Sequence, residues 1–296
     1  MMSVLRKASA AAAVLALASA AAVAQEAPSP AQDPANWRQA DPENLLRMSV
    51  KGQNIFIELR PDFAPNHVAQ VKTITRAGHY DGTAFHRVID RLMVQGGEVT
   101  TVHQLDKPYP VLDAEFTFRR DPATAPMVRV GEKAGMVAYG YLKGAIVESR
   151  APGIAALMAD SSVESWALHC PGVASMARAT SVNSADTQFF LTRYTNHDWD
   201  TVYTIWGHVL SGLDVVRGIK AGKDEDNGQL PVDQADRLST AVIVADLPPE
   251  KRPIVYVQRA DGPKFQEALA ALDLASISDP CELPSVSVQV EAPKID

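Results

Sequence analysis

Arg87 and Gln95 bracket the stretch Arg87-Val88-Ile89-Asp90-Arg91-Leu92-Met93-Val94-Gln95, which follows Phe85-His86 and ends in Gly96-Gly97. A permanent cation and an amide eight residues apart share a side-chain parity on extended chain, so both can project from one face of a sheet. A guanidinium stays charged and presents its donors in a rigid plane. At the lip of a dry apolar pocket it can favour a group whose basicity develops in a transition state, with no nucleophile, metal or cofactor. His86 beside Arg87 has the look of a base next to a cation. His169-Cys170 has no second pair at metal-ligand spacing, and neither a nucleophile elbow nor a phosphate loop is present.

A second segment lies far downstream: Ser175-Met176-Ala177-Arg178-Ala179, leading to Thr187-Gln188-Phe189-Phe190. In this order the two segments resemble the two signatures of cyclophilin-type peptidyl-prolyl cis-trans isomerases. The turn Gly78-His79-Tyr80-Asp81-Gly82-Thr83 and the stretches around Val111-Leu112-Asp113-Ala114-Glu115-Phe116 and Thr204-Ile205-Trp206-Gly207 are similar to the same family. The resemblance covers about residues 45–246, with an interruption. It implies a mainly β fold: a closed eight-stranded antiparallel barrel with two flanking helices, needing no cofactor and acting on proline-containing polypeptides.

By the same resemblance Arg87 is the catalytic arginine and Gln95 the amide that orients it and the bound peptide. Leu92, Met93 and Phe190 are expected to wall the proline pocket, and Phe85 to bind substrate. Ala177, Arg178 and Ala179 would supply backbone to the substrate and Gln188 a polar contact, while Trp199 and Tyr203 complete the site. The chain departs from the family in having Asp90-Arg91-Leu92 where Pro-Gly-Phe is usual, Arg178 where asparagine is common, and Tyr203 in place of a histidine. An ungapped alignment puts Asp198 at the family tryptophan, and a slip of one residue restores Trp199. The implied reaction must break amide resonance, a barrier of roughly 18–20 kcal/mol. The rival reading is a degenerate barrel that binds proline-containing clients without useful turnover; retention of Arg87 and Gln95 favours the enzyme.

Positioning these residues takes an ordinary globular chain. It has 296 residues, 46% hydrophobic and 21% charged, enough for a large core. Arg6 and Lys7 precede an apolar run over 8–22, and Ala22-Val23-Ala24 has the small-x-small form of a signal-peptidase site, so export and cleavage after Ala24 into the periplasm are expected. Loss of Arg6 and Lys7 takes the formal charge from −7 to −9, which leaves no basic face for nucleic acid. No later stretch is long and apolar enough to span a bilayer, and a monomer is expected.

Residues 25–43, rich in Pro, Ala, Gln and Asp, read as a disordered leader. Order is expected near Leu45, with Leu46, Met48 and Val50 in one strand, a Lys51-Gly52 turn, and Ile55, Ile57 and Leu59 in the next. Apolar residues at helical spacing then predict a helix over 65–77 stopped by Gly78, and Leu213, Val216 and Ile219 predict a second. Strands are expected at 188–192, 202–209 and 240–245, with a loop at 223–228. Residues 119–168 are an insertion, read as mainly helical: a possible strand at 135–140, a short helix at Pro152, and a capping box, Ser161-x-x-Glu164, opening another. Both its ends adjoin signature segments, which predicts a place beside the substrate groove. The domain proper runs over 44–247. A β-α-β extension over 248–296 is expected to pack on the barrel. Cys170 and Cys281 are either one long-range staple or two buried thiols, and the exported compartment favours the disulfide.

Overall fold

The computed structural model describes residues 29–106, 108–134 and 137–293; the expected signal segment, 1–24, lies outside the described residues. The elements in chain order are β1 (Trp37–Gln39), β2 (Leu45–Val50), β3 (Gln53–Leu59), α1 (Pro65–Arg76), β4 (Arg87–Ile89), β5 (Met93–Gly96), α2 (Val99–Val102), β6 (Phe118–Arg120), β7 (Val128–Lys133), β8 (Val137–Leu142), β9 (Ala145–Arg150) and β10 (Val163–Ala167). They continue with β11 (Val173–Met176), β12 (Phe189–Thr192), β13 (Ile205–Ser211), α3 (Leu213–Arg217), β14 (Leu238–Ile243), β15 (Ile254–Gln258), α4 (Pro263–Ala270) and β16 (Val288–Glu291).

The β2–β3 hairpin pairs Met48 with Ile55 and Leu46 with Ile57. Lys51 and Gly52 turn the chain at φ of 51° and 75°, the left-handed pair that a two-residue hairpin needs. The inward side chains of the two strands meet Val88, Val94, Phe189 and Trp206 in the main core, under α1. The N-cap position of α1 is Ala64, which has no side-chain acceptor, so Glu115 caps the helix from a distance, accepting from the backbone N–H groups of Asn66 (3.2 Å) and His67 (3.1 Å).

Eight strands form one antiparallel sheet in the order β14-β2-β3-β13-β11-β12-β5-β4. The expectation of a closed barrel needs correction: the sheet is a half-barrel, and no ladder joins its edge strands β14 and β4. Isolated bridges, Ala84 with Arg237 and Arg87 with Gln229, span the seam. The chain on both sides of it runs through turns at 80–82 and 226–235, one of them containing Pro231, and cannot hold the extended register that a ladder requires.

Two further expectations are overturned. Residues 29–43 are ordered: β1 pairs with β15, and Ala40 is buried with Leu45, Phe56, Val255 and Val257. The Asn36 side chain accepts from Lys264 N (2.8 Å) in the first turn of α4, whose own N-cap, Gly262, has no side chain. A segment without apolar periodicity is thus ordered by a partner more than 200 residues away. The insertion is a five-stranded sheet, β6-β10-β9-β8-β7, and not a helical unit. Residues 152–157 form a 3-10 turn, and the would-be capping box becomes a turn at Ser161 (φ 51°) followed by β10. Cross-strand pairing of β10 with both β6 and β9 outweighs that local signal. Residues 135 and 136 of the expected strand lie outside the described residues; β8 begins at Val137.

Leader, insertion and tail meet on the outer face of β3 and β13. Arg38 of β1 makes a bidentate pair with Glu58 of β3 (2.6 and 2.8 Å) and donates to the Lys143 carbonyl of the insertion (2.9 Å). Burial pushes the Glu58 carboxyl up, but the Arg38 bonds and neighbouring positive charges outweigh it, and the net shift is downward. The tail is β15, α4 and β16: β15 sits between β1 and β16, and α4 packs Phe265 and Leu269 against Tyr141 of β8. Cys170 and Cys281 are disulfide-bonded, with Cα atoms 5.2 Å apart and a sequence separation of 111.

Closing so long a loop restricts the unfolded chain, so Cys281→Ser should lower stability by about 2–4 kcal/mol. A denaturation midpoint equal to the parent's would show that the tail is held by packing alone. Stability should also fall in mild acid. Burial, helped by repulsion from Arg60 and Arg38, pushes the His208 imidazole down to about 4 against the attraction of Glu58. With a folded value below the unfolded 6.5, its contribution is complete above pH 6.5 and is lost as the pH falls toward 4, because only the unfolded ring takes the proton. His208→Gln should flatten the pH dependence of the melting temperature across that window, and an unchanged slope would rule the ring out as its source.

Candidate active site

The groove is built on the sheet's outer face by cross-strand register. Arg87 of β4 pairs with Gln95 of β5, Gln95 with Phe190 of β12, and Phe190 with Ser175 of β11, so these four lie in one row across four strands. Val88, Val94 and Phe189, one residue along, point into the core. Arg87 and Gln95 share a face as expected, but across a hairpin: the chain turns back at residues 90–92, closed by Leu92 N donating to Ile89 O (3.1 Å).

Arg87 Nη1 donates to Gln95 Oε1 (3.2 Å), Nε to the Asn227 carbonyl (3.1 Å) and Nη2 to Asn227 Oδ1 (3.0 Å). Gln95 Nε2 in turn donates to Gln188 Oε1 (3.0 Å), and Gln188 Nε2 to Glu98 Oε2 (2.7 Å). Among the described residues, no carboxylate is paired with Arg87. Asn227 holds its place in a left-handed conformation (φ 52°) at the end of the 223–228 loop.

Beside the guanidinium lies a cavity of about 330 Å³, lined by Met93, Phe190, Trp199 and Tyr203, with Ala177 and Arg178 on the far lip and Asn227 and Gln229 near Arg87. The aromatic rings meet edge to face: Phe190 to Trp199 at 5.0 Å, Phe190 to Tyr203 at 5.4 Å and Trp199 to Tyr203 at 5.9 Å. Arg178 stacks 4.7 Å over Tyr203 and donates to the Val202 and Ala179 carbonyls, so it braces the lip. Beneath Phe190 the fully buried His169 ring is stacked at 6.0 Å. Such a site can hold a small apolar ring with a polar donor at one edge.

The structure thus brings together Arg87, Gln95, Met93, Ala177, Arg178, Phe190, Trp199 and Tyr203. Trp199, not the exposed Asp198, packs on the pocket, as the one-residue slip requires. Four expected contacts are displaced. Phe85 is 1% exposed within the core against Phe189 and lines no groove. Leu92 sits at the hairpin turn, in a separate hollow with Asp90 and Asp224. Ala179 is exposed, with its N–H held by Ser184 Oγ (3.0 Å), and Gln188 stands behind Gln95 as its support. Among the described residues, the insertion lines no part of the cavity. It packs through Phe118, Leu142, Val147 and Ala167 against Phe63, Val173 and Ile205, and meets the pocket only through its C-terminal neighbour, His169. His86 is held below its ordinary pKa, chiefly by burial, and does not line the cavity.

Sequence reasoning missed Asn227, Gln229, His169 and Asp200. The Asn227-Gly228 dipeptide is a turn signal, but nothing local shows that its side chain faces Arg87. His197, Asp279 and Cys281 offer donor atoms within 4.8 Å of one another. Because the Cys281 sulfur is in the disulfide and both His197 ring nitrogens have hydrogen-bond partners, the group is a clamp and not a metal site.

Comparison with known proteins agrees with this geometry. Residues 45–243 match the family model described as cyclophilin type peptidyl-prolyl cis-trans isomerase/CLD. A probable peptidyl-prolyl cis-trans isomerase of Brucella suis is 34% identical over 219 residues, spanning 70% of this chain and 86% of its own. Peptidyl-prolyl cis-trans isomerase cyp18 of Streptomyces antibioticus is 26% identical over 195 residues, covering 64% and 92%. The crystal structure of cyclophilin AquaCyp293 from Hirschia baltica superposes with a TM-score of 0.82 at 37% identity, over 90% of this chain and 98% of that one, so the likeness extends beyond the family domain. The chain belongs to the cyclophilin-type peptidyl-prolyl cis-trans isomerases.

Proposed function

We propose that this isomerase acts without a cofactor on prolines of exported polypeptides, as a monomer in the periplasm, with Arg87 favouring the twisted amide. The observation that carries the mechanism is a guanidinium held by three hydrogen bonds to neutral acceptors at the edge of an aromatic pocket. As the prolyl C–N bond rotates, resonance is lost and the nitrogen becomes pyramidal and basic. A fixed cation stabilises that state more than the planar ground state, and this difference is what accelerates rotation. Bringing exchange from tens or hundreds of seconds to milliseconds requires roughly 6 kcal/mol of such stabilisation.

Phe190, Met93 and Trp199 supply a dry surface for the proline ring, and Gln95 fixes both Arg87 and the peptide beside it. Export is supported by the basic start, the apolar run over 8–22 and the Ala22-Val23-Ala24 site. The Cys170–Cys281 bond is compatible with an oxidising compartment.

Arg87→Ala should keep the fold, since the side chain lies on the outer face, and should lower kcat/KM for a proline tetrapeptide by about two to three decades, the loss of about 3–4 kcal/mol seen when a preorganised donor is removed. Peptide binding should survive better than turnover. Isomerisation at the parent's rate would dispose of the catalytic role, while a parent that binds the peptide without turning it over would favour the binding-module reading. For the compartment, protein recovered from the periplasm of a producing cell should begin at Gln25 by intact mass, and recovery of the full-length chain from the cytoplasm would refute export.

A further inference from the structure

The C-terminal tail reaches the proline pocket by a continuous line of hydrogen bonds. Asp279 Oδ1 in the tail pairs with His197 Nε2 (2.8 Å), and His197 Nδ1 with Asp200 Oδ2 (2.7 Å). The other oxygen of Asp200 accepts from the His169 backbone N–H (2.7 Å) and meets His169 Nδ1 (3.0 Å). His169 Nε2 then meets Ser175 Oγ (2.9 Å), so both ring nitrogens are occupied and the ring has one orientation. That ring is 0% exposed, lies nearly parallel to Phe190 (6.0 Å, 17°) and meets Trp199 in a T-shaped contact (6.0 Å, 83°). The tail also holds Cys170, the next residue, through the disulfide. Two links from one short stretch, Asp279 and Cys281, themselves tied by the Cys281 N–H donating to Asp279 Oδ1 (2.8 Å), therefore converge on His169 and Cys170 beneath the pocket's aromatic wall.

We propose that the tail is a positioning element for the isomerase pocket: Asp279, acting through His197 and Asp200, fixes His169 and with it the wall formed by Phe190 and Trp199. This rests on the isomerase reading of the groove. None of the three touches the cavity, so they are positioning residues and not catalytic ones. The wall grips the proline ring, whereas Arg87 stands on the opposite lip and is held by Gln95 and Asn227. Loosening the chain should therefore weaken peptide binding and leave the cation in place.

The test compares the full-length parent with Asp279→Ala, His197→Ala, their double variant and Asp279→Asn, all with the disulfide intact. Asparagine keeps an acceptor for the His197 ring. Isomerisation of a proline tetrapeptide gives KM and kcat, and fluorotryptophan NMR, with the Trp199 line identified by Trp199→Phe, reports the wall directly. Asp279→Ala and His197→Ala should each raise KM about fivefold, equivalent to one hydrogen bond, leave kcat within about twofold and shift the Trp199 line. The double variant should be no worse than either single one, because both break one chain, and Asp279→Asn should match the parent. An unchanged KM and Trp199 line in Asp279→Ala would overturn the proposal, as would additive losses in the double variant. A parent without turnover would sink the isomerase reading separately, and the Trp199 line would still decide whether tail and wall are coupled.

Discussion

The Arg87 guanidinium is held firmly without being neutralised, and the bonding in this part of the groove follows from that constraint. A carboxylate would fix Arg87 most strongly, but it would also cancel the charge on which the proposed stabilisation of a twisted amide depends. The structure instead uses an amide oxygen, a backbone carbonyl and an asparagine side chain. The nearest acid on the same hydrogen-bonded line, Glu98, is separated from Arg87 by the amides of Gln95 and Gln188. Amides can pass hydrogen-bond direction along the row without carrying net charge, which is why this part of the site contains two glutamines and an asparagine.

The sheet makes that arrangement rigid. Arg87, Gln95, Phe190 and Ser175 occupy one register row across four strands, so the cation and the aromatic wall are set by backbone hydrogen bonds and not by loops. The reverse side of the same strands fills the core with Val88, Val94 and Phe189. A one-residue slip in any of these ladders would exchange the faces, sending the row into the core. Site and core thus specify the same register.

The additions to the family domain are tied to it by burial. Phe56, Val173 and Ile205 point outward from the half-barrel and would form an exposed apolar face. The insertion sheet covers Val173 and Ile205, and the β1-β15-β16 sheet covers Phe56. Glu58, on that same covered face, is stabilised chiefly by the two aligned donors of Arg38, with Arg60 adding positive charge nearby. Leader, insertion and tail therefore complete a single structure, stapled once more at Cys170 and Cys281.

Much of this was readable from residues alone, where short-range periodicity or wording carried the information. The β2–β3 hairpin follows from the alternation of Leu46, Met48 and Val50 with Ile55, Ile57 and Leu59 around Lys51-Gly52. Arg87, Gln95, Met93 and Phe190 follow from two signature segments whose family resemblance the comparisons support. What the sequence could not determine depends on partners distant along the chain. The leader has no apolar period of its own, and its strand exists because β15 offers an open edge. The insertion carries local helix signals at Pro152 and Ser161, yet cross-strand pairing made it a sheet. Phe85 and Leu92 were expected at the site because of their neighbours in sequence, but Phe85, which lies before β4 begins, packs into the core against Phe189, and a hairpin turn carries Leu92 into a separate hollow. Asn227, 140 residues from Arg87, became its main support through tertiary contact alone. Local pattern fixes which way a side chain faces on its own element; only packing decides what it faces.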